Sequence, residues 1–368
     1  MSTLWKDWFN ENFYSSIGKS FEKILPSFDN QEFKNQVLTK EFEGYELRDR
    51  MMHTVKVLRK FMNADYSAAC NQLISMMHQL SSDGHDTDKF EYMLMPDFIL
   101  LFGVKSPEAS IKTMEKLTQF TSCEFAVRPF LLKHPEIMYP QMLEWSKHSA
   151  WQVRRLSSEG FRPNLPWGMG IPSLKTDPSP ILPVLENLME DENEVVRRSA
   201  ANNLNDISKN HPKLVIEMAQ KWKGKSKETD ALIKHASRTL LKQGEPQILK
   251  IFGYDGEGLK LLNFKLADEV VQMGKSLEFS FAINNQAPME KLIRLEYALY
   301  YKKQNGSYTK KVFKISERNL EPNNTLEIIR KQSFKPITTR KYYNGEHKVA
   351  MIINGEESDA LSFKLVDA

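Results

Sequence analysis

The chain has 368 residues, 41% of them hydrophobic and 27% charged, with a formal net charge of +4. This is the mix of a soluble globular protein long enough for two domains, each able to bury a core without staples. Two cysteines, Cys70 and Cys123, are too few for a disulfide framework or a cysteine-based zinc site, and both are expected as buried free thiols. The mildly basic balance permits a nucleic-acid partner without requiring one.

The chain opens with acids and aromatics (Leu4-Trp5-Lys6-Asp7-Trp8-Phe9) and lacks the basic start and apolar run of a signal peptide. No stretch approaches the about 20 apolar residues of a membrane span, so a cytoplasmic protein without a membrane partner is expected. Up to residue 252 the apolar residues recur at helical steps. Leu47, Met51, Val55 and Leu58 share one face, and similar blocks follow at 64–80, 108–122, 180–190, 194–209 and 228–242. Past Gly253 the period becomes two, as in Leu277–Ile283, Leu295–Tyr300, Val312–Ile315 and Val349–Ile353, with Asn-Gly turn pairs at 305, 344 and 354. The reading is a two-domain chain: an all-α solenoid over 1–252, then an all-β immunoglobulin-like sandwich over 259–368. The glycine-rich segment 252–258 reads as a linker.

The helical half repeats itself. Val153-Arg154-Arg155-Leu156 returns as Val196-Arg197-Arg198-Ser199, and a weaker copy starts at Ile233. His134-Pro135 with Trp145 returns as His211-Pro212 with Trp222. A period near 40 with two helices per unit is that of HEAT-type arrays, in which equivalent positions line up. Arg154, Arg155, Arg197, Arg198 and Lys234 would then form a ladder for the phosphates of an extended polyanion. The structural alternative is that these arginines pair with the acids Asp191, Glu192 and Glu194.

The stretches Cys123–Leu131, Trp151–Gly168 and Val196–Ile207 closely resemble the AlkC branch of the AlkC/AlkD-type bacterial DNA glycosylases. The opening segment, the sandwich and the loop Thr338–His347 resemble the same subgroup, although Asn344 stands where that family often has proline. The resemblance implies a monofunctional DNA glycosylase that excises cationic lesions of the 3-methyladenine and 3-methylcytosine class without drawing them into a deep pocket. The implied partner is double-stranded DNA carrying alkylated bases. No cofactor and no metal are expected, and a monomer is expected.

A cationic base already carries the charge of a good leaving group, so the demand falls on the sugar, which develops oxocarbenium character and wants an anion and a positioned water. Three carboxylates stand in the matching motifs: Glu124, Glu159 and Asp206. Each could instead cap a helix or pair with Arg128, Arg155 or Arg198. Trp167, in a Pro/Gly-rich loop, is the candidate for lesion or backbone contact, or else a plug of the solenoid groove. Trp145 and Trp222 read as core. Arg162 is a further phosphate candidate. In the sandwich, Lys302, Lys303, Arg340 and Lys341 could clamp DNA, or serve as edge lysines that prevent strand pairing with other chains. The rival reading is a non-catalytic HEAT scaffold that binds DNA or protein.

Overall fold

A computed structural model describes residues 4–86, 89–338 and 340–367; Thr339 of the 338–347 loop lies outside them. Helices run to Ile251 and strands begin at Leu259, where the hydrophobic period changes. The chain forms two compact units, Met1–His211 with Lys227–Ala236, and Pro212–Ser226 with Ser237–Ala368. The second unit thus includes the helices Pro212–Trp222, Arg238–Gln243 and Pro246–Ile251 as well as the strands.

In the first unit the repeat is real in three dimensions. Helix Trp151–Glu159 packs against Glu194–Ile207, which packs against Lys227–Ala236. Val153 and Leu156, then Val196, Ala200, Leu204 and Ile207, then Leu232, Ile233 and Ala236 are buried. A fully buried Val, Leu or Ile contributes about 1.5–3 kcal/mol, so stacking supplies what a single repeat cannot. The helical block expected over 228–242 is split at Ser237, a non-helical residue between two short helices. The His-Pro repeat is a clamp: His134 Nε2 lies 2.8 Å from the Val104 carbonyl, and His211 Nε2 lies 2.8 Å from that of Lys175. Proline follows as the first helical residue, where its missing N–H costs nothing. Both cysteines are buried and free, and burial pushes the Cys123 thiol up.

In the second unit β1 (Leu259–Leu266), β3 (Ser276–Asn285) and β6 (Thr325–Ser333) form one sheet in the order β1-β3-β6. The other follows β2-β9-β7-β4-β5, from β2 (Val270–Gln272), β4 (Lys291–Lys302), β5 (Tyr308–Leu320), β7 (Gly345–Ile353) and β9 (Leu361–Val366), with β8 (Glu356–Glu357) on β7. Their facing side chains make the core, led by Phe279, Phe281, Leu295, Tyr297, Met351 and Phe363. The expected alternation holds for β3 except at Ala282, which is buried, but not for β4. Glu296 and Ala298, on what reads as a solvent face, are 1% and 0% exposed. Arg294 accounts for the acid, donating to both Glu296 oxygens at 3.0 and 2.6 Å and to Glu317 at 2.6 Å. The segment 252–258 is not a loose tether. Tyr254 is buried, Lys291 pairs with Asp255 at 2.5 Å, and Asn354 donates to the Asp255 carbonyl.

Candidate active site and nucleic-acid interface

Glu159 is the last residue of its helix, and the next turn brings Arg162 back over it. Arg162 Nη1 donates to Glu159 Oε1 at 2.6 Å, while its Nε donates to Asp206 Oδ2 at 2.8 Å. Asp206 comes from the last turn of the equivalent helix one repeat on. Ser199 Oγ donates to the second Glu159 oxygen at 2.6 Å, and Lys209 Nζ to the second Asp206 oxygen at 2.8 Å. Glu159 and Arg162 are 7% exposed and Asp206 2%, whereas the Lys209 side chain is 45% exposed. Carboxylates at helix C-termini oppose the helix dipole, so buried ones need cations. Burial alone would lower the Arg162 pKa; Glu159 and Asp206 outweigh it and hold the guanidinium above its ordinary range. The two acids share one enclosed guanidinium, and Lys209 adds a second, partly exposed cation on Asp206.

Glu124 lies in the turn before helix Arg128–Lys133. It accepts from Arg155 Nη2 at 2.7 Å and from Ser122 Oγ at 2.9 Å. Arg155 and Ser122 also line a cavity of about 350 Å³ with Trp151, Gln152 and Phe90. One repeat on, Glu194, Arg197, Arg198, Lys227 and His235 line a second cavity of about 410 Å³. Trp151 and Arg155 correspond by the repeat to Glu194 and Arg198, so successive grooves carry an arginine at the same station.

Trp167 sits on the loop between these helices and is 77% exposed, which rules out the groove plug. Its φ of 62° is left-handed, a region costly for a bulky side chain and a mark of functional loops. Arg128 holds the loop at both ends. Its guanidinium, wholly buried, donates to the carbonyls of Gly160 (2.9 Å), Arg162 (2.6 Å) and Met169. With no carboxylate in direct contact, burial and then Arg162 depress Arg128 to about 10, still charged at neutral pH. Trp167 meets Trp5 edge-on at 5.5 Å between ring centres, and Trp5 stacks on Trp8 and leans on Phe90.

The arginine ladder divides into two rails. Arg154 donates to the carbonyls of His148 and Ser149, and Arg197 makes the same two bonds one repeat later, to Asp191 and Glu192. Arg154 also pairs with Asp191 at 2.6 Å, which holds its guanidinium above the ordinary range. On this rail Arg154 meets the acids Asp191 and Glu192 side chain to side chain, and Arg197 bonds their main-chain carbonyls. Arg155 and Arg198 form the other rail: Arg198 is exposed on the second groove, which Arg197 also lines, and Arg155 is half-buried on Glu124 at the first. Lys234 is half-buried on the next helix. Arg162, expected among the phosphate contacts, is enclosed instead, with guanidinium nitrogens on two acids. In the sandwich, Lys303 and Lys341 are exposed, Lys302 reaches the Asn344 carbonyl at 3.3 Å, and Arg340 lies 4.3 Å from the centre of the Tyr301 ring.

Several contributors lack an obvious sequence signal. Trp5 reaches Trp167 from far along the chain, and Phe90 in turn reaches Trp5. Arg128, Ser199 and Lys209 act through contacts that no motif announces. One signal was available: an acid followed three residues later by a base ends both helices, Glu159 with Arg162 and Asp206 with Lys209. Among the described residues no group of His, Cys, Asp and Glu could hold a metal ion, and no helix is long and apolar enough to cross a membrane.

Stacked helical repeats followed by an immunoglobulin-like sandwich define the class: a HEAT-repeat protein of AlkC type with a C-terminal Ig-like domain. Residues 181–211 match the HEAT repeat family, and 260–367 match the C-terminal Ig-like domain of the uncharacterised protein YhaZ. The uncharacterised protein YhaZ of Bacillus subtilis (strain 168) is 41% identical over 98% of this chain and 99% of its own length, and the chain belongs to the YhaZ family. Among solved structures it is similar to the alkylpurine DNA glycosylase AlkC of Pseudomonas fluorescens, bound to DNA containing an abasic site analog. That similarity has a TM-score of 0.91 at 29% identity, over 98% of this chain and 99% of that one.

Proposed function

We propose that this protein is a DNA glycosylase that hydrolyses the N-glycosidic bond of cationic alkylated bases, of the 3-methyladenine and 3-methylcytosine class. The observation that carries the reading is the enclosed Glu159–Arg162–Asp206 cluster, in which acids from successive repeats share one guanidinium. The solved AlkC, similar over nearly the whole chain, is an alkylpurine DNA glycosylase and supports it. As the C1′–N bond breaks, its electron pair leaves with the base, which departs neutral, and the sugar takes the positive charge. Glu159 and Asp206 stabilise that charge, with Glu124 as third candidate. One of the carboxylates takes a proton from the water that attacks C1′, leaving an abasic site. Trp167 contacts the lesion or the adjoining backbone. Arg155 and Arg198, with Lys234 and the sandwich residues Lys303, Arg340 and Lys341, neutralise phosphates of double-stranded DNA. The enzyme works as a monomer in the cytoplasm and uses neither metal nor cofactor.

A second reading has its own support: every acid in the cluster is satisfied, as in a scaffold whose polar groups only hold repeats together. Release of free base from methylated duplex DNA, followed by mass spectrometry, separates the two. Asp206→Asn keeps the shape and removes the charge; at least a 100-fold loss of release is expected, with DNA binding retained. No release by folded, DNA-binding wild type would leave the scaffold.

A further inference from the structure

Resting on the glycosylase reading, we infer that Arg162 is a positioning residue that locks Glu159 and Asp206, acids from two different repeats, into one rigid pair facing the reacting sugar.

Its placement argues against the two other roles an arginine at this station could have. A phosphate contact needs a guanidinium at the surface, and Arg162 is 7% exposed with Nη1 on Glu159 and Nε on Asp206. A purely local helix pair would use one acid, three residues away; Arg162 takes that one and a second from 44 residues further on. The other groups on these acids each reach only one of them: Ser199 holds Glu159, and Lys209 holds Asp206 with a side chain nearly half exposed. The base of the arginine is fixed as well, because the fully buried Arg128 donates to its carbonyl at 2.6 Å. Arg128 also holds the Met169 carbonyl, so one buried guanidinium fixes both the bridging residue and the end of the loop that carries Trp167.

Rigidity matters for this chemistry. Stabilisation of developing charge is largest when the charged groups are already in place and need not reorganise. A misplacement near 1 Å can cost about 100-fold in rate. A planar fork reaches two acids at once; a lysine is a point charge on a flexible stem and does not reproduce the bridge. Arg162 thus acts through the two acids rather than on the substrate.

The test is single-turnover base release from methylated duplex DNA by wild type, Arg162→Lys and Arg162→Gln, with DNA affinity measured on the same duplex across a salt series. Arg162→Gln is expected to slow release about 100-fold while affinity and its salt dependence stay as in wild type. Arg162→Lys is expected to recover part of that loss, because one acid still finds a cation. A drop in affinity with the salt slope reduced by about one, and an unchanged single-turnover rate, would mean a phosphate contact and overturn the inference. A wild-type rate in Arg162→Gln would overturn it too. If Arg162→Gln does not fold, Arg162→Lys decides alone: slowed release at unchanged affinity supports the lock, and wild-type release sinks it. Absence of release from wild type would remove the glycosylase reading itself, and this inference with it; normal wild-type release with a normal Arg162→Gln removes only the lock.

Discussion

Each unit of this protein buries an arginine that bridges two carboxylates, and the two bridges differ in everything around them. In the sandwich, Arg294 joins Glu296, two residues along β4, to Glu317, its register partner on β5. The three groups come from one hairpin, so local pairing alone brings them together. In the solenoid, Arg162 joins acids from separate repeats, beside a loop with an exposed, left-handed Trp167. The first bridge makes a two-sided strand possible. The second assembles charge that no single repeat could hold, next to groups that face solvent. On the glycosylase function proposed above, the same chemistry serves the fold in one unit and a site in the other.

The largest expected effect breaks the sandwich bridge. Glu296→Ala leaves Arg294 buried with half its partners, and loss of one member of a buried pair costs about 3–5 kcal/mol. Replacing both members by Arg294→Met with Glu296→Leu should recover most of that loss, because well-packed apolar side chains replace buried ion pairs at little cost. Chemical denaturation of the full chain reads both. In the solenoid the order should invert: a shape-keeping Glu159→Gln costs base release far more than it costs stability. If Glu159→Gln unfolds the chain as readily as Glu296→Ala does, both bridges are structural and the contrast fails.

The two arginine rails give the next effect. Arg197→Ala removes charged bonds to two carbonyls that close a helix entry and should cost about 1.5–3 kcal/mol of stability with DNA affinity little changed. Arg198→Ala, at an exposed position on the groove, should leave stability within about 0.5 kcal/mol. It should weaken DNA binding and reduce the salt slope by about one. Equal salt slopes for the two variants would erase the distinction between rails.

Periodicity carried most of the fold. The helical steps before 252, the alternation after 259 and the copied Val-Arg-Arg-Leu were enough for repeats followed by a sandwich, because burial imposes those periods directly. What stayed illegible came from contacts between distant segments. Glu296 reads as a solvent-facing residue because nothing in β4 tells that its second face is covered. Arg162 reads as a surface cation because the acid it needs lies one repeat away. The three acids were found through family resemblance; their partners follow from three-dimensional register, which a single sequence does not print. Arg154 and Arg155 are neighbours with opposite fates for the same reason: one step around a helix separates a turn from a groove.

Trp167 offers a smaller and cleaner comparison. Its side chain is mostly in solvent, so truncation removes little packing, but any residue with a Cβ keeps the strain of a φ of 62°. Trp167→Gly should therefore be about 1 kcal/mol more stable than Trp167→Ala. Both should lose base release if the indole contacts the lesion. A pair of equally stable variants would mean that the loop relaxes, and that Arg128 does not fix its backbone.

The smallest effect concerns His347, whose role belongs wholly to the sandwich. The ring is fully buried; Nδ1 accepts the Lys302 N–H at 3.3 Å and Nε2 donates to the Tyr343 carbonyl at 2.8 Å. That arrangement fits the neutral ring, and burial holds its pKa below the usual 6.5. The unfolded chain then binds this proton at a higher pH than the folded one does. The stabilising contribution is complete above 6.5 and is lost as pH falls from there through the lower folded value, with a slope of at most about 1.4 kcal/mol per pH unit. Denaturation midpoints between pH 8 and 5 should drop accordingly, and His347→Gln, which lacks the titration, should flatten the curve. A slope unchanged by His347→Gln would assign the acid sensitivity to another group and leave the sandwich with a buried ring that its pH response does not register.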